Sequence, residues 1–555
     1  MQNIDNLDNP RNNLRKDEEN TMAPAGFKNL DQCNAFNRLK RIAPIDLKRA
    51  LSVERIENSN IPAGGGLMFN YAAKAINDEV IDLFEELAGE QRLVEQYREL
   101  VNGAVMNTGE KRKVLHHLMR GQLDGTVIHE GRNLRDFYSQ QLERIEQFSE
   151  KVHSGQMCGS TGKRFTSVVQ IGIGGSDLGP RALYLALEQY VKQQQKPRNL
   201  EARFISNVDP DDAAAVLNGL DLESTLFIVV SKSGTTQETL TNRALVLRLM
   251  EQADIPGLQP EKHMVAVTSE TSPMADSNEY VESFFIDDFI GGRYSATSAV
   301  GAVVLVLAFG KEVFRLLLEG AHEADRKALE PNVRNNAPLM DAMIGIWERN
   351  ILGYPATAIL PYSQALSRFP AHLQQLDMES NGKRVNRQGE PLPYASGPVV
   401  FGEPGTNGQH SFYQLLHQGT DTVPLQFIGF SRSQTGFDPP YEGSSSQTKL
   451  KANLAAQIVA FAAGKEDKNP NKQFPGGIPS SLLYGGQLTP RALGALLAHF
   501  ENKVMFQGFC WNINSFDQEG VQLGKILTKQ ILSGKDVDPL LTSYMKLLGR
   551  ENSPN

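Results

Sequence analysis

Glu379 lies in the run Leu-Gln-Gln-Leu-Asp-Met-Glu-Ser-Asn-Gly-Lys, which spans 373–383 and places two carboxylates, Asp377 and Glu379, near the end of a helical stretch. A carboxylate there is either solvated or, if it faces a pocket, a base able to take a proton from a carbon beside a carbonyl. Arg293 follows Gly291 and Gly292 in Gly-Gly-Arg-Tyr-Ser-Ala-Thr-Ser. Two residues without side chains let a guanidinium approach a ligand, the alternative being an ordinary salt bridge. His410 stands just after a glycine-rich turn in Gly-Glu-Pro-Gly-Thr-Asn-Gly-Gln-His-Ser-Phe, at the start of an expected helix, a context that the nine other histidines lack. Gln518 and Lys525 are seven residues apart and share a helix face if one helix runs through both.

Chemistry on a small substrate also needs a handle, and two turns offer one. Val-Val-Gln-Ile-Gly-Ile-Gly-Gly-Ser-Asp-Leu-Gly-Pro, ending at Pro180, reads as a strand, then glycines 172, 174 and 175, then a helix start. Its backbone N–H groups are able to approach an anion at the positive end of the helix. A dinucleotide fingerprint needs glycine where Asp177 stands, and a Walker A motif needs Gly-Lys-Ser/Thr where Gly179-Pro180-Arg181 stands, so both nucleotide readings weaken. A second strand end carries Ser231, Ser233, Thr235, Thr236 and Thr239 within nine residues. One hydroxyl suffices to cap a helix, whereas several beside free N–H groups suit a dianionic phosphate. Two such turns at the carboxyl ends of strands in one sheet can converge on one ligand.

The elements that must position these residues change texture along the chain. From Asp46 to His153 apolar residues recur three and four apart, as in Val80–Leu87 and Leu93–Leu100, which is helical. From Ser167 short β-rich runs (SVVQIGI, ARFISN, TLFIVV, HMVAVTS) alternate with amphipathic segments at Pro180–Gln195 and Glu238–Met250. That alternation predicts a parallel sheet covered on both faces. After Glu330–Asn336 a second block offers ATAILPY, GPVVFG and PLQFIGF. The expectation is an α/β protein with a polar, partly disordered extension over 1–45, where Met22 is an alternative start. A helical region over 46–150, two α/β domains over 151–325 and 326–535, and a helical tail over 536–555 complete it. Residues 465–481 read as a surface loop, with helix from Thr489 onward.

Composition sets outer limits. A chain of 555 residues exceeds the roughly 250–300 at which one core stops growing, so at least two domains are expected. A net charge of −8 without long basic runs argues against nucleic acid as a partner. Three isolated cysteines suggest neither a disulfide framework nor a zinc site and fit a reducing compartment. The apolar run Ala299–Phe309 is shorter than the ~20 residues of a membrane helix and predicts a buried core helix. The opening residues lack an apolar secretory segment, which argues for a cytoplasmic protein.

Taken together, IGIGGSDLGP, SKSGTTQET, GGRYS, QQLDMESNGK, GEPGTNGQHSFYQL and DQEGVQLGK, in this order, resemble the phosphoglucose isomerase family over roughly Tyr71 to Leu532. The resemblance implies two sugar-isomerase-type α/β/α sandwich domains with parallel-rich sheets, assembled as a homodimer. It implies reversible glucose 6-phosphate to fructose 6-phosphate isomerisation through ring opening and a cis-enediolate, in glycolysis and gluconeogenesis, with no cofactor or metal. On the matched positions Ser176, Ser231, Ser233 and Thr236, with the Lys232 backbone, bind phosphate, and Gly175 and Gly292 lie in the matched binding turns. Glu379 is the base and Arg293 stabilises the enediolate. His410, from the neighbouring subunit, opens the ring and is oriented by Glu238; Lys525, which contacts the sugar, belongs with them to the catalytic set, while Gln375 and Gln518 bind the sugar. Three positions depart from the usual pattern: Ser233-Gly234 where Thr-Phe is frequent, Leu376 in place of a small or polar residue, and Glu519-Gly-Val-Gln522 for Trp-Gly-Val-Glu. A non-catalytic sugar-phosphate sensor, an isomerase that also accepts mannose 6-phosphate, and a nicotinamide-dependent dehydrogenase are the competing readings; the last is disfavoured by Asp177.

Overall fold

The computed structural model of the chain describes residues 27–194, 200–276, 278–535 and 537–549. The first 26 residues of the expected extension, Met22 among them, lie outside the described residues. Residues 27–45 differ from the expectation of a polar, partly disordered extension. Leu30, Phe36 and Leu39 are buried in the main core. The helix Asn34–Leu39 is held at its start by the Glu90 carboxylate, which accepts from the Asn34 and Ala35 amides at 2.8 Å each. Those two amides are among the donors a helix start leaves unpaired, which is why a remote carboxylate fixes it.

The expected helical region 46–150 opens with two short helices, Leu47–Ala50 and Val53–Asn58, followed by a hairpin, β1 (Asn60–Gly64) and β2 (Leu67–Asn70), turned by Gly64, Gly65 and Gly66, all at positive φ. Then come the helices Asp78–Glu90, Leu93–Val101 and Leu134–Ser154, each burying one apolar face. The first α/β block supplies β3 (Ser167–Ile171), β4 (Glu201–Ile205), β5 (Thr225–Val230), β6 (Met264–Thr268) and β7 (Glu282–Phe285). These form a sheet in the order β7-β6-β5-β3-β4 with every pairing parallel. All six residues of β5 are buried, as a strand covered on both faces requires.

The second block supplies β8 (Ala356–Tyr362), β9 (Val399–Gly402), β10 (Leu425–Phe430) and β11 (Ser480–Gly485). Its sheet runs β1-β2-β11-β10-β8-β9, parallel from β11 to β9, with the hairpin added antiparallel through β2. The N-terminal region therefore contributes two strands to the second sheet. Residues 465–479 form the expected loop, whereas Ser480 and Ser481 already belong to β11.

Helix Ala299–Phe309 is buried at all eleven positions, as its composition predicts. The longer run Gly292–Phe309 has the length and apolarity of a membrane span, and 94% of it lies inside the protein. The helix expected from Thr489 is no tail. Pro490–Cys510 is buried at nearly every position and packs along Lys311–Ala328, where Gly320 and Gly494 leave no room for a Cβ against the opposing backbone. Polar residues along it are buried with partners: His499 meets Asp341, Glu501 meets Arg120, Asn502 donates to Asp325 and Lys503 donates to Gln426.

Candidate functional site

β3 and β5 are parallel neighbours in register, Ile171 opposite Val229, so the turns that follow them leave the same edge of the sheet side by side. The first, Gly172–Ser176, leads into the helix Leu178–Gln193; the second, Ser231–Thr236, leads into Gln237–Gln252. In the second turn the Ser231 and Thr236 hydroxyls lie 2.9 Å apart, and Ser233 Oγ accepts from the Thr235 amide at 3.2 Å and the Thr235 hydroxyl at 2.9 Å. Thr236 occupies the N-cap without making a side-chain capping bond. The hydroxyls therefore shape the turn rather than cap the helix, whose first N–H groups stay free of side-chain caps. Gly234, one of the departures from the family pattern, has φ of +67°, and a Cβ there collides with the Ser272 hydroxyl. The tight turn needs glycine at that position.

Lys232 joins this turn to the arginine loop. Its Nζ donates to Ile290 O at 3.3 Å and lies 3.6 Å from the Asp288 carboxylate. Burial lowers its pKa, with Asp288 opposing. The next loop brings Gly292 so close to Gly175 that a Cβ on Gly175 overlaps the Gly292 carbonyl. Two glycines thus let the first turn and the arginine loop touch backbone to backbone.

Arg293 is 2% exposed and is held by three hydrogen bonds: Nε to Ser380 Oγ at 2.7 Å, and Nη2 to the Ser515 and Asp517 carbonyls at 2.6 and 2.9 Å. Its remaining nitrogen, Nη1, faces Glu379 Oε2 at 3.6 Å. Ser380 also meets the Tyr294 hydroxyl at 2.9 Å, and burial pushes that phenol up to about 12. The guanidinium is therefore fixed before any ligand arrives.

Glu379 ends a five-residue π-helical segment, Gln375–Glu379, that continues the helix Phe369–Gln374. Such wide turns recur at functional sites because they re-aim side chains within a helix. Both Glu379 Oε2 and Gln375 Oε1 are buried oxygens that accept no hydrogen bond. Gln375 reaches toward the first turn, with Nε2 3.3 Å from where a Cβ of Gly174 would stand. A carboxylate with a free oxygen, beside an immobile cation and two anion-suited turns, can remove a proton from a bound carbon acid and stabilise the charge left behind.

Other sequence-selected residues stand apart within one chain. His410, Gln518 and Lys525 are exposed and Glu238 is half-buried, and among the described residues none of their side chains makes a hydrogen bond or ion pair. The one-face expectation for Gln518 and Lys525 fails, because Gln518 is non-helical (φ −148°, ψ 45°) ahead of a short 3₁₀ turn and the helix begins only at Gln522.

Sequence reasoning missed Ser380, Ser515 and Asp517, which hold Arg293, and Tyr294, which meets Ser380; a hydroxyl directly after the carboxylate was the available signal. Asp377, which sequence alone leaves as a solvated carboxylate, is instead buried, two residues before Glu379. It faces a cavity also lined by Asp341, Glu348 and Lys503, and burial pushes its pKa up to about 6 despite Lys503. The folded chain thus holds this proton more tightly than the unfolded chain, so stability falls as pH rises through about 4 to 6. Asp377→Asn lacks this loss. Relative to the variant, the native chain is expected to lose up to about 3 kcal/mol between pH 4 and 7, read from denaturant midpoints at each pH. A constant difference across that range contradicts the assignment.

Two doubly wound sheets joined through such a site define α/β/α domains of the sugar-isomerase type. The sequence model for phosphoglucose isomerase matches residues 70–545. A glucose-6-phosphate isomerase of Treponema denticola is 59% identical over 531 residues, 94% of this chain and 99% of its own length. One of Borreliella afzelii is 47% identical over 530 residues, 95% of this chain and 99% of its own. The crystal structure of a glucose-6-phosphate isomerase from Chlamydia trachomatis superposes with a TM-score of 0.87 at 44% identity, covering 94% of this chain and 99% of that one. The chain belongs to the phosphoglucose isomerase family.

Proposed function

We propose that this chain interconverts glucose 6-phosphate and fructose 6-phosphate. Full-length similarity to glucose-6-phosphate isomerases supports the reaction class. The single observation that carries the reading is Arg293, locked by three bonds with Nη1 3.6 Å from a carboxylate oxygen that nothing else engages. A sensor that only binds sugar phosphate has no use for that pair, so the non-catalytic reading is not favoured.

The substrate phosphate binds the hydroxyls and amides of the Ser231–Thr236 turn, with Ser176 and Gly175 on the neighbouring turn. Anchoring the phosphate directs binding energy into orienting the far end of the sugar. His410 donates a proton to the ring oxygen and water takes the C1 hydroxyl proton as the C1–ring-oxygen bond breaks, which opens the ring; Glu238 orients the imidazole. Glu379 takes the C2 proton, Arg293 stabilises the enediolate oxygen on C1, and Glu379 returns the proton to C1 while the O2 hydroxyl proton passes to O1, leaving the ketone at C2. Gln375, Gln518 and Lys525 hold the sugar hydroxyls.

His410 acts in the site of a second copy of the chain. Its exposure at the end of a turn supports this, as does the form of the C-terminal segment. Helices Gln522–Ser533 and Pro539–Leu547 bury no residue in the single chain and present Leu523, Ile526, Leu540 and Leu547 outward, an apolar surface that a homodimer covers. Action in the cytoplasm is part of the same reading, supported by three free thiols.

A coupled assay tests the reaction. Offered fructose 6-phosphate, the chain is expected to release glucose 6-phosphate as the dominant product at the same rate with and without chelator. Mannose 6-phosphate in equal amount, or no product, overturns the reading. For the histidine, His410→Ala is expected to slow the cyclic sugar by at least ~10²-fold, the lower end for a general acid, while an open-chain phosphorylated aldose suffers much less. Equal losses on both contradict ring opening.

A further inference from the structure

Four strands of the second sheet repeat four of the first: β11-β10-β8-β9 lie in the order of β6-β5-β3-β4, all parallel. β5 is followed by Ser231-Lys232-Ser233-Gly234-Thr235-Thr236, and β10 by Ser431-Arg432-Ser433-Gln434-Thr435-Gly436, two hundred positions further on. Serine, cation, serine and threonine recur in the same places. The companion turn recurs as well, with Gly172–Ser176 after β3 answered by Ser363–Ser367 after β8. Between the second pair of turns lies a groove of about 410 Å³, lined by Ser363, Ser367, Arg432, Ser433, Thr435 and Gln447. That volume falls within the range of small-molecule sites.

The turn is fixed without the help of its cation. Ser431 Oγ donates to Gly486 O at 2.9 Å, Gln434 Nε2 donates to the Ala186 and Leu488 carbonyls at 2.7 and 2.9 Å, and Gln487 Nε2 donates to Ser433 O at 2.6 Å. Among the described residues the Arg432 guanidinium makes no hydrogen bond or ion pair, unlike Lys232, which is tied to Asp288 and Ile290. Among the described residues the one carboxylate lining the groove, Glu188, is paired with Lys192 at 2.7 Å and so opposes an incoming anion less. A free guanidinium fork among hydroxyls, at the carboxyl ends of parallel strands, is matched to a phosphate.

We propose that the Ser431–Thr435 turn is a second binding site, for the phosphate monoester of a small polar metabolite, in the position that mirrors the phosphate turn of the first sheet. The inference rests on the phosphate reading of the Ser231–Thr236 turn, and its test separates the two. The full-length chain is titrated by calorimetry with an unreactive open-chain hexitol 6-phosphate. The native chain is expected to bind two equivalents per chain. Arg432→Gln is expected to bind one, with the second weakened at least tenfold and with turnover and thermal midpoint unchanged, because the side chain it replaces is exposed and unbonded. Thr435→Val serves as an independent probe and is expected to weaken the same equivalent. The double variant Ser231→Ala/Ser233→Ala is expected to lose the other equivalent and keep this one. A single equivalent in the native chain, or two undiminished equivalents in Arg432→Gln, overturns the second site and leaves the first reading standing. An unchanged titration in the Ser231/Ser233 variant instead overturns the first.

Discussion

Glu379→Gln will bind substrate almost as the native chain does and turn it over at least 10²–10⁴-fold more slowly, the range for losing one positioned general base. Glutamine keeps the shape and volume of the side chain, and Glu379 Oε2 takes part in no hydrogen bond that the fold depends on. Melting temperature and substrate affinity are therefore expected to stay near native values while kcat collapses. Stopped assays over both directions check this, since one carboxylate serves both carbons and both directions must fall together. Loss in one direction only, or turnover near native, removes Glu379 from the shuttle.

Arg293→Lys is the second large effect. Lysine offers a point charge on a flexible stem and cannot bond Ser380 Oγ and the Ser515 and Asp517 carbonyls in one plane as the guanidinium does. The charge then has to be positioned during the reaction. Removing one preorganised donor of this kind costs about 3–4 kcal/mol of transition-state stabilisation, or 10²–10³ in kcat. Stability is also expected to fall by about 1–3 kcal/mol, because the buried Ser515 carbonyl and the half-buried Asp517 carbonyl lose the guanidinium donor. The catalytic part shows as a drop in kcat with KM little changed, and as non-additivity with Glu379→Gln, since the two groups act on the same charge.

The parallel sheets were legible because strands buried on both faces are written as largely apolar runs, unbroken in Thr225–Val230 and interrupted only by Gln426 and Gly429 in Leu425–Phe430. β7 and β11 were not, because Glu-Ser-Phe-Phe and Ser-Ser-Leu-Leu-Tyr-Gly are short and half polar, and tertiary pairing rather than composition makes them strands. The hairpin was hidden for a similar reason: Gly64–Gly66 mark a turn, yet nothing local says that Leu67–Asn70 pairs with a strand more than four hundred residues away. At the site, Arg293 and Glu379 could be selected by type and context, but their contact arises from the π-helical segment and from Ser380, which periodicity does not encode. Asp377 shows the same limit. A carboxylate two residues from the base reads as solvated until the fold turns it onto Lys503 and the cavity behind. His410, Gln518 and Lys525 were legible only as motif members, because one chain leaves them without partners.

The most direct test is a crystal structure of the chain with an unreactive open-chain hexitol 6-phosphate. The account predicts the phosphate within hydrogen-bond distance of the Ser231, Ser233 and Thr236 hydroxyls, and both C1 and C2 about 3–3.5 Å from one Glu379 carboxylate, with Arg293 facing the oxygen on the adjacent carbon. A phosphate seated on those turns with its reacting carbons against some other acid or base, and Glu379 turned away, contradicts it.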